Sequence, residues 1–159
     1  MEIKNKRVVV TGAASGIGRA LCEEFFASEV QSIVCVDMNI EGAEETAKNV
    51  NGIAIRADVS EEKDIINVIK KANEFYGGID IFCSNAGIGG KPGLLNSEPS
   101  DWDKIWGVNV MSHIHAAKNV LPQMIEQGGG YLMNTSSAAG LLTQLGAAGY
   151  AVTKSAAVS

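Results

Sequence analysis

A tyrosine and a lysine stand four positions apart near the end of the sequence, as Tyr150 and Lys154. Residues at this spacing lie on one face of an α-helix, with their Cβ atoms about 5–6 Å apart. A free phenol, with a pKa of about 10, is a poor base at neutral pH, but a neighbouring ammonium group favours its ionised form. The pair could therefore move a proton on or off an alcohol oxygen. Because both residue types are common, the spacing is not distinctive by itself.

Five short apolar runs alternate with segments of helical periodicity along the chain. The predicted strands are 7–11, 33–36, 52–57, 79–84 and 131–135, and the predicted helices are 19–28, 40–50, 60–76, 100–127 and one that begins near 149. This alternation predicts right-handed β–α–β crossovers. We therefore expect an α/β fold with a doubly wound parallel sheet in three αβα layers, the Rossmann fold, in a single domain over residues 1–159.

A glycine-rich segment follows the first predicted strand, and a helix follows it in turn. Ligands of doubly wound sheets bind at the carboxyl ends of the strands. Glycines let the backbone approach a pyrophosphate, whose charge a helix N-terminus favours. The spacing is G-x-x-x-G-x-G rather than G-x-G-x-x-G, and an ordinary glycine-rich turn is the alternative. The residues predicted to contact a dinucleotide here are Gly12, Ser15, Gly16, Ile17 and Gly18.

Acidic residues end the second and third predicted strands. Asp37 could accept hydrogen bonds from the adenosine ribose and would repel a 2′-phosphate, which favours NAD over NADP. Met38 is also predicted to line the cofactor site. Neither Ser15 nor Met38 carries a positive charge that would offset this repulsion. Asp58 and Val59 could contact the adenine. The alternatives are a solvated turn for Asp37 and a turn or helix-capping role for Asp58.

Taken together, these residues resemble the short-chain dehydrogenase/reductase family. The resemblance runs in unbroken order from the first strand to the end of the chain. It rests on Thr11 with the glycine segment, Asp58-Val59, Asn85-Ala86-Gly87, Asn109, Ser137, and Tyr150 with Lys154. It implies an oxidoreductase that transfers a hydride between NAD and a small-molecule alcohol or ketone.

The resemblance also implies a role for each matching residue. Ser137 would hold the substrate oxygen, and Tyr150 would be the general base for alcohol oxidation and the acid for the reverse reaction. Lys154 would bind the nicotinamide ribose and favour the tyrosinate. Asn109 would position a water and support Lys154, while Asn85, Ala86 and Gly87 would line the cofactor site. A strand-end hydrogen bond for Ser137 and a backbone-bonding role for Asn109 are the alternatives.

Members of this family are usually longer than 159 residues, so the resemblance predicts further elements beyond those found here. A second hypothesis follows, in which the chain is a catalytically incompetent NAD-binding fragment or interaction module. The resemblance further implies a homodimer or homotetramer.

Composition narrows the classes of function. An apolar content of 46% and a charged content of 19% are typical of globular proteins. The net charge of −5 weighs against nucleic-acid binding, and no apolar stretch is long enough to predict a membrane span. Three cysteines in apolar segments and the lack of a signal-peptide pattern predict a cytoplasmic protein. No Cys/His cluster has the spacing of metal ligands.

Overall fold

The computed structural model describes residues 2–142 and 144–159. Its five strands form one sheet in the order β3-β2-β1-β4-β5, and every neighbouring pair is parallel. The strands are β1 (Arg7–Thr11), β2 (Ser32–Asp37), β3 (Ile53–Arg56), β4 (Ile81–Ser84) and β5 (Tyr131–Asn134). The predicted doubly wound parallel sheet is confirmed.

Helices cover both faces of this sheet. They are α1 (Gly16–Ala27), α2 (Ile40–Asn49), α3 (Glu62–Tyr76), α4 (Pro99–Trp106), α5 (Ser112–Glu126) and α6 (Ala148–Val158), with single 3-10 turns at Leu94–Asn96 and Ala138–Gly140. The order of the strands reverses at β1, which pairs with β2 on one side and β4 on the other. In sheets of this kind, such a reversal opens a crevice beyond the carboxyl ends of the strands.

Alternate residues of the central strands β1, β2 and β4 enter two separate cores. Val8 and Val10 pack on the α1 side with Cys22 and Phe25, whereas Val9 packs on the opposite side in the core of α3 and α5. The central strands are consequently apolar on both faces, as parallel strands covered by helices must be. This explains why β1, β2 and β4 could be identified as continuous apolar runs.

The long helix predicted over 100–127 is interrupted in its middle. A π-helical segment, Gly107–Met111, joins α4 to α5. Such widened turns occur frequently at functional sites. This one carries Asn109, whose fully buried side chain bonds to the backbone of Ile88. Pro122 lies within α5 without ending it.

The start of α3 also differs from the sequence prediction. Ser60 had the residue type of a helix start, but Glu61 occupies the N-cap position. The Ser60 hydroxyl instead donates to Asp58 Oδ1 at 2.6 Å. Serine hydroxyls form local turn bonds as readily as caps, which residue type alone does not distinguish.

An ion pair lies at the amino ends of β1 and β4, opposite the crevice. Arg7 donates through Nε and Nη2 to the Asp80 carboxylate at 2.8 and 3.0 Å, and its backbone N–H donates to the same group at 2.8 Å. The hydrogen bonds from Arg7 lower the pKa of Asp80, and the carboxylate raises the pKa of Arg7. This contact ties β1 to the residue just before β4.

Across the described part of the chain, no helix has the length and apolar character needed to cross a membrane.

Candidate active site

A cleft of about 770 Å³ opens at the carboxyl rim of the sheet. It is lined by residues that follow β1 to β5 and by residues of α1, α4 and α6. Fifteen of the sixteen predicted site residues line it: Gly12, Ser15, Gly16, Ile17, Gly18, Asp37, Met38, Asp58, Val59, Asn85, Ala86, Gly87, Ser137, Tyr150 and Lys154. The sixteenth, Asn109, is not a lining residue.

Three glycines shape the wall of the cleft between β1 and α1. Gly12 has a φ of +72°, and a Cβ there would lie 2.9 Å from the Ala86 Cα. A Cβ on Gly18 would overlap the Gly12 carbonyl oxygen. Gly16 has a φ of +53° and faces open space. Two of these glycines are therefore required for packing, while the third leaves room in the cleft.

The N-terminus of α1 faces the same space. Ser15 is its N-cap residue, and among the described residues no side chain caps this helix. Unpaired N–H groups and the helix dipole make such an end a favourable position for an anion. Ile17, in the first turn of α1, is 65% exposed, so it offers an apolar surface beside that position.

Two backbone N–H groups hold the Asp37 carboxylate at the end of β2. Ala14 N–H donates to Oδ2 at 3.0 Å, and Asn39 N–H donates to Oδ1 at 2.9 Å. Asp37 is half-buried, and its neighbour Met38 is 56% exposed. The carboxylate is thus oriented by the glycine segment itself and keeps further lone pairs for a ligand.

Asp58 has bonding partners of its own at the end of β3. Its Oδ1 accepts from the N–H of Ser60 at 3.0 Å and from the Ser60 hydroxyl. Its N–H donates to Asp64 Oδ2 at 2.9 Å. These bonds give direct support to the turn role that the sequence left as an alternative. Val59 beside it is buried.

A network of threonine and asparagine side chains joins the ends of β1, β4 and β5. The Thr11 hydroxyl accepts from the N–H groups of Asn85 and Ala86 at 2.9 and 3.1 Å. Asn85 Nδ2 donates to the Thr11 carbonyl at 3.0 Å, and the Thr135 hydroxyl donates to Asn85 Oδ1 at 3.0 Å. The Asn85 side chain therefore braces the floor of the cleft.

Lys154 lies almost fully buried on α6, with 3% of its surface exposed. Its Nζ donates to the Thr135 carbonyl at 2.7 Å and lies 5.9 Å from the centre of the Tyr150 ring. A Cβ on Gly87 would stand 3.5 Å from this Nζ. Burial lowers the pKa of Lys154 because removal from water disfavours its charge. The ammonium group and the phenol thus share one end of the cleft.

Asn109 connects the π-helical segment to that end. Its Nδ2 donates to the Ile88 carbonyl at 3.0 Å and to the Thr153 hydroxyl at 3.1 Å, and its Oδ1 accepts from Ile88 N–H at 2.9 Å. A Cβ on Gly87 would lie 3.4 Å from this oxygen. Asn109 therefore holds α6 and the loop after β4 in place from behind the cleft.

The two neighbouring serines after β5 have different partners. Ser136 donates to the Lys154 carbonyl at 3.1 Å. Ser137 accepts from Ala139 N–H at 3.2 Å and opens the 3-10 turn Ala138–Gly140. Among the described residues the Ser137 hydroxyl proton has no acceptor, so it can be donated to a ligand in the cleft.

Several lining residues had no prediction from the sequence. They are Ala57, Ser60, Ile88, Gly89, Lys104, Val108, Thr135 and Ser136. Ala57, Ile88 and Ser136 each adjoin a predicted residue, so a wider margin around each motif would have included them. Lys104 and Val108 reach the cleft from α4 and the π-helical segment, and no sequence pattern marked them.

A second groove, of about 540 Å³, lies beyond Ser137 between α6 and the segment before it. Its lining is mainly aliphatic, and Leu141, Leu142 and Leu145 are 70–95% exposed.

Within residues 2–142 and 144–159, no group of three or more His, Cys, Asp or Glu side chains is placed to hold a metal ion.

The chain matches a known protein family and is similar to proteins of known name. Residues 6–159 match the model of the short chain dehydrogenase family. The chain is 31% identical over 163 residues to the 3-oxoacyl-[acyl-carrier-protein] reductase FabG of Thermotoga maritima, covering 99% of this chain and 66% of that protein. It is 35% identical over 157 residues to the 2-(R)-hydroxypropyl-CoM dehydrogenase of Xanthobacter autotrophicus, covering 93% and 62%.

Solved structures give the same likeness. A short chain dehydrogenase/reductase from Burkholderia phymatum in complex with NAD superimposes with a TM-score of 0.95 at 30% identity, covering 99% of this chain and 58% of that chain. Levodione reductase superimposes with a TM-score of 0.92 at 31% identity, covering 98% and 63%. The chain thus spans about three fifths to two thirds of the length of these proteins.

Proposed function

Since this chain belongs to the short chain dehydrogenase family, we propose that it binds NAD in the cleft and transfers a hydride between NAD and a small-molecule alcohol or ketone. One observation carries the proposal. The glycine segment, the Asp37 carboxylate and the Tyr150–Lys154 pair, which lie far apart in sequence, line a single cleft. Its relatives include enzymes named as a reductase and a dehydrogenase.

Several features of the cleft support the binding of NAD. The uncapped N-terminus of α1 and the open space at Gly16 suit a pyrophosphate. Asp37, held by two N–H groups, would accept hydrogen bonds from the hydroxyl groups of the adenosine ribose. It would repel a 2′-phosphate, so NAD is preferred over NADP. NAD, when bound, would accept or supply the hydride.

At the other end of the cleft, Tyr150 would exchange a proton with the substrate oxygen. The buried Lys154 ammonium group, 5.9 Å from the centre of the Tyr150 ring, would place a positive charge beside the phenol with little water to screen it. Ser137 would donate its free proton to the substrate oxygen, on which charge develops. Asn109 would keep Lys154 in position through the bond to Thr153 on α6.

Replacing Tyr150 with Phe tests this assignment. The variant should bind NAD as the wild type does, measured by titration calorimetry, and should lose NADH production with a panel of secondary alcohols. Tyr131→Phe is the matched control, because Tyr131 is half exposed on β5 and does not line the cleft. Turnover by Tyr150→Phe at the wild-type rate would refute the general acid/base role.

A second candidate function is NAD binding without turnover. The exposed leucines beyond Ser137 favour it, because a substrate in that groove would remain in contact with water. NAD binding by the wild-type chain without NADH production from any alcohol would support this candidate.

We further propose a homodimer or homotetramer in the cytoplasm. Exposed apolar side chains of α5, among them Ile114, Leu121 and Ile125, support the assembly.

A further inference from the structure

Arg19 does not itself line the cleft, but it contacts Ala14, whose N–H holds the lining residue Asp37. Its Nη2 donates to the Ala14 carbonyl at 2.7 Å, while Ala14 N–H donates to Asp37 Oδ2 at 3.0 Å. The guanidinium group and the carboxylate therefore bind the two polar backbone groups of one residue. Among the described residues, Arg19 forms no ion pair with Asp37.

The ion-pair partner of Arg19 comes from α2. Glu45 accepts from Nη2 at 3.2 Å and from Nη1 at 3.4 Å. Glu45 is 63% exposed, and Arg19 is 31% exposed. The buried Arg19 Nε has no hydrogen-bond partner among the described residues. Because that Nε is shut off from solvent, the donors left for a ligand are on the two Nη groups, and Nη1 binds only Glu45 among the described residues.

We propose that Arg19 is a latent recognition group for a phosphate on the adenosine ribose, and that Asp37 and Glu45 together keep it inactive. Asp37 acts by repelling the phosphate. Glu45 acts by occupying the edge of the guanidinium group. The proposal rests on the proposed function, because it assumes that the ribose of NAD lies at Asp37.

Charge and geometry favour this division of roles. A guanidinium fork can bind two phosphate oxygens at once. With both carboxylates present, two negative charges surround one positive charge at Ala14, and an uncharged ribose is preferred. With both carboxylates neutralised, the single arginine leaves a positive charge there. Because Glu45 is largely exposed, its share is the smaller one.

The test compares the affinities for NAD⁺ and NADP⁺ by titration calorimetry in a series of variants. Asp37→Ser should strengthen NADP⁺ binding. Adding Glu45→Gln to it should strengthen NADP⁺ binding by roughly a further fivefold, the range expected for an exposed ion pair. Adding Arg19→Ala to that double variant should then weaken NADP⁺ binding by about tenfold or more, with little change for NAD⁺.

Glu44→Gln is the matched control for Glu45→Gln. Glu44 is exposed on the same helix and forms no ion pair with Arg19 among the described residues. Its replacement by Gln removes the same charge as Glu45→Gln does. In the Asp37→Ser background it should leave the NADP⁺ affinity unchanged.

Two results would overturn the inference. One is an equal NADP⁺ affinity for Asp37→Ser with and without Glu45→Gln. The other is an Arg19→Ala change that weakens NAD⁺ and NADP⁺ equally, since this would show that Arg19 only supports the Ala14 carbonyl. A wild-type chain that binds neither dinucleotide would instead refute the proposed function itself.

Discussion

The glycine segment after β1 allows its roles in packing and in binding to be separated by two substitutions. A methyl group on Gly18 would overlap the Gly12 carbonyl oxygen and come within 2.8 Å of Asn85 Nδ2. A methyl group on Gly16 would meet no atom within 4 Å, although its φ of +53° disfavours alanine. We therefore expect Gly18→Ala to damage the fold and Gly16→Ala to damage NAD binding.

The sizes of the two effects follow from these surroundings. A left-handed backbone costs alanine about 1–2 kcal/mol, and for a chain of this length each kcal/mol lowers Tm by about 2–4 °C. Gly16→Ala should thus lower Tm by roughly 2–8 °C. Overpacking costs about 1–3 kcal/mol or more. For Gly18→Ala we expect the upper end, because the overlapping atom belongs to the backbone and cannot rotate away.

Thermal unfolding with and without NAD⁺ measures both effects. The wild type should gain Tm as NAD⁺ is added, because a ligand that binds only the folded state stabilises it. Gly16→Ala should remain folded but lose this gain, since its methyl group would fill space needed by the pyrophosphate. A normal NAD⁺ shift in Gly16→Ala would contradict a binding role for Gly16, and equal Tm values for the two variants would contradict the packing role of Gly18.

Two further predictions concern the supports of the cleft. Asp80→Asn should reduce the free energy of unfolding at neutral pH by about 2 kcal/mol. Because Arg7 lowers the pKa of Asp80 in the folded state, the stabilisation is complete above the ordinary carboxyl pKa of about 3.9 and is lost as the pH falls through the lower folded value. Urea unfolding across that acid range should show this loss in the wild type and not in the variant. Asn109→Ala should cost about 2–4 kcal/mol in the same assay, since it leaves polar groups of Ile88 and Thr153 unpaired. Asn119→Ala, at a partly exposed site, should cost less, and an equal cost would contradict the bracing role of Asn109.

Much of the fold could be predicted because its signals are local. Each of these signals, such as the apolar run of β1, the glycines directly after it or the apolar run of β2, lies within a few consecutive residues. The topology follows from the alternation of strands and helices. The placement of Asp37 at the strand end was equally local. The roles of the site residues remain predictions for the experiments above.

What could not be predicted depends on contacts between distant segments. Asn109 of the π-helical segment bonds to Ile88, which lies 21 residues earlier in the chain. The brace formed by Thr11, Asn85 and Thr135 needs three strand ends to meet. Likewise, Arg19 has the pattern of a surface helix residue, and only the folded chain brings it to Glu45 and Ala14.

A dinucleotide bound to this chain should lie along the carboxyl rim with its nicotinamide end at Tyr150. Crystals of the chain soaked in NAD⁺ test it most directly through difference electron density. We expect density that runs from Asp37 across the N-terminus of α1 to Lys154. Density at another surface, or a dinucleotide whose adenosine lies at Tyr150, would contradict it.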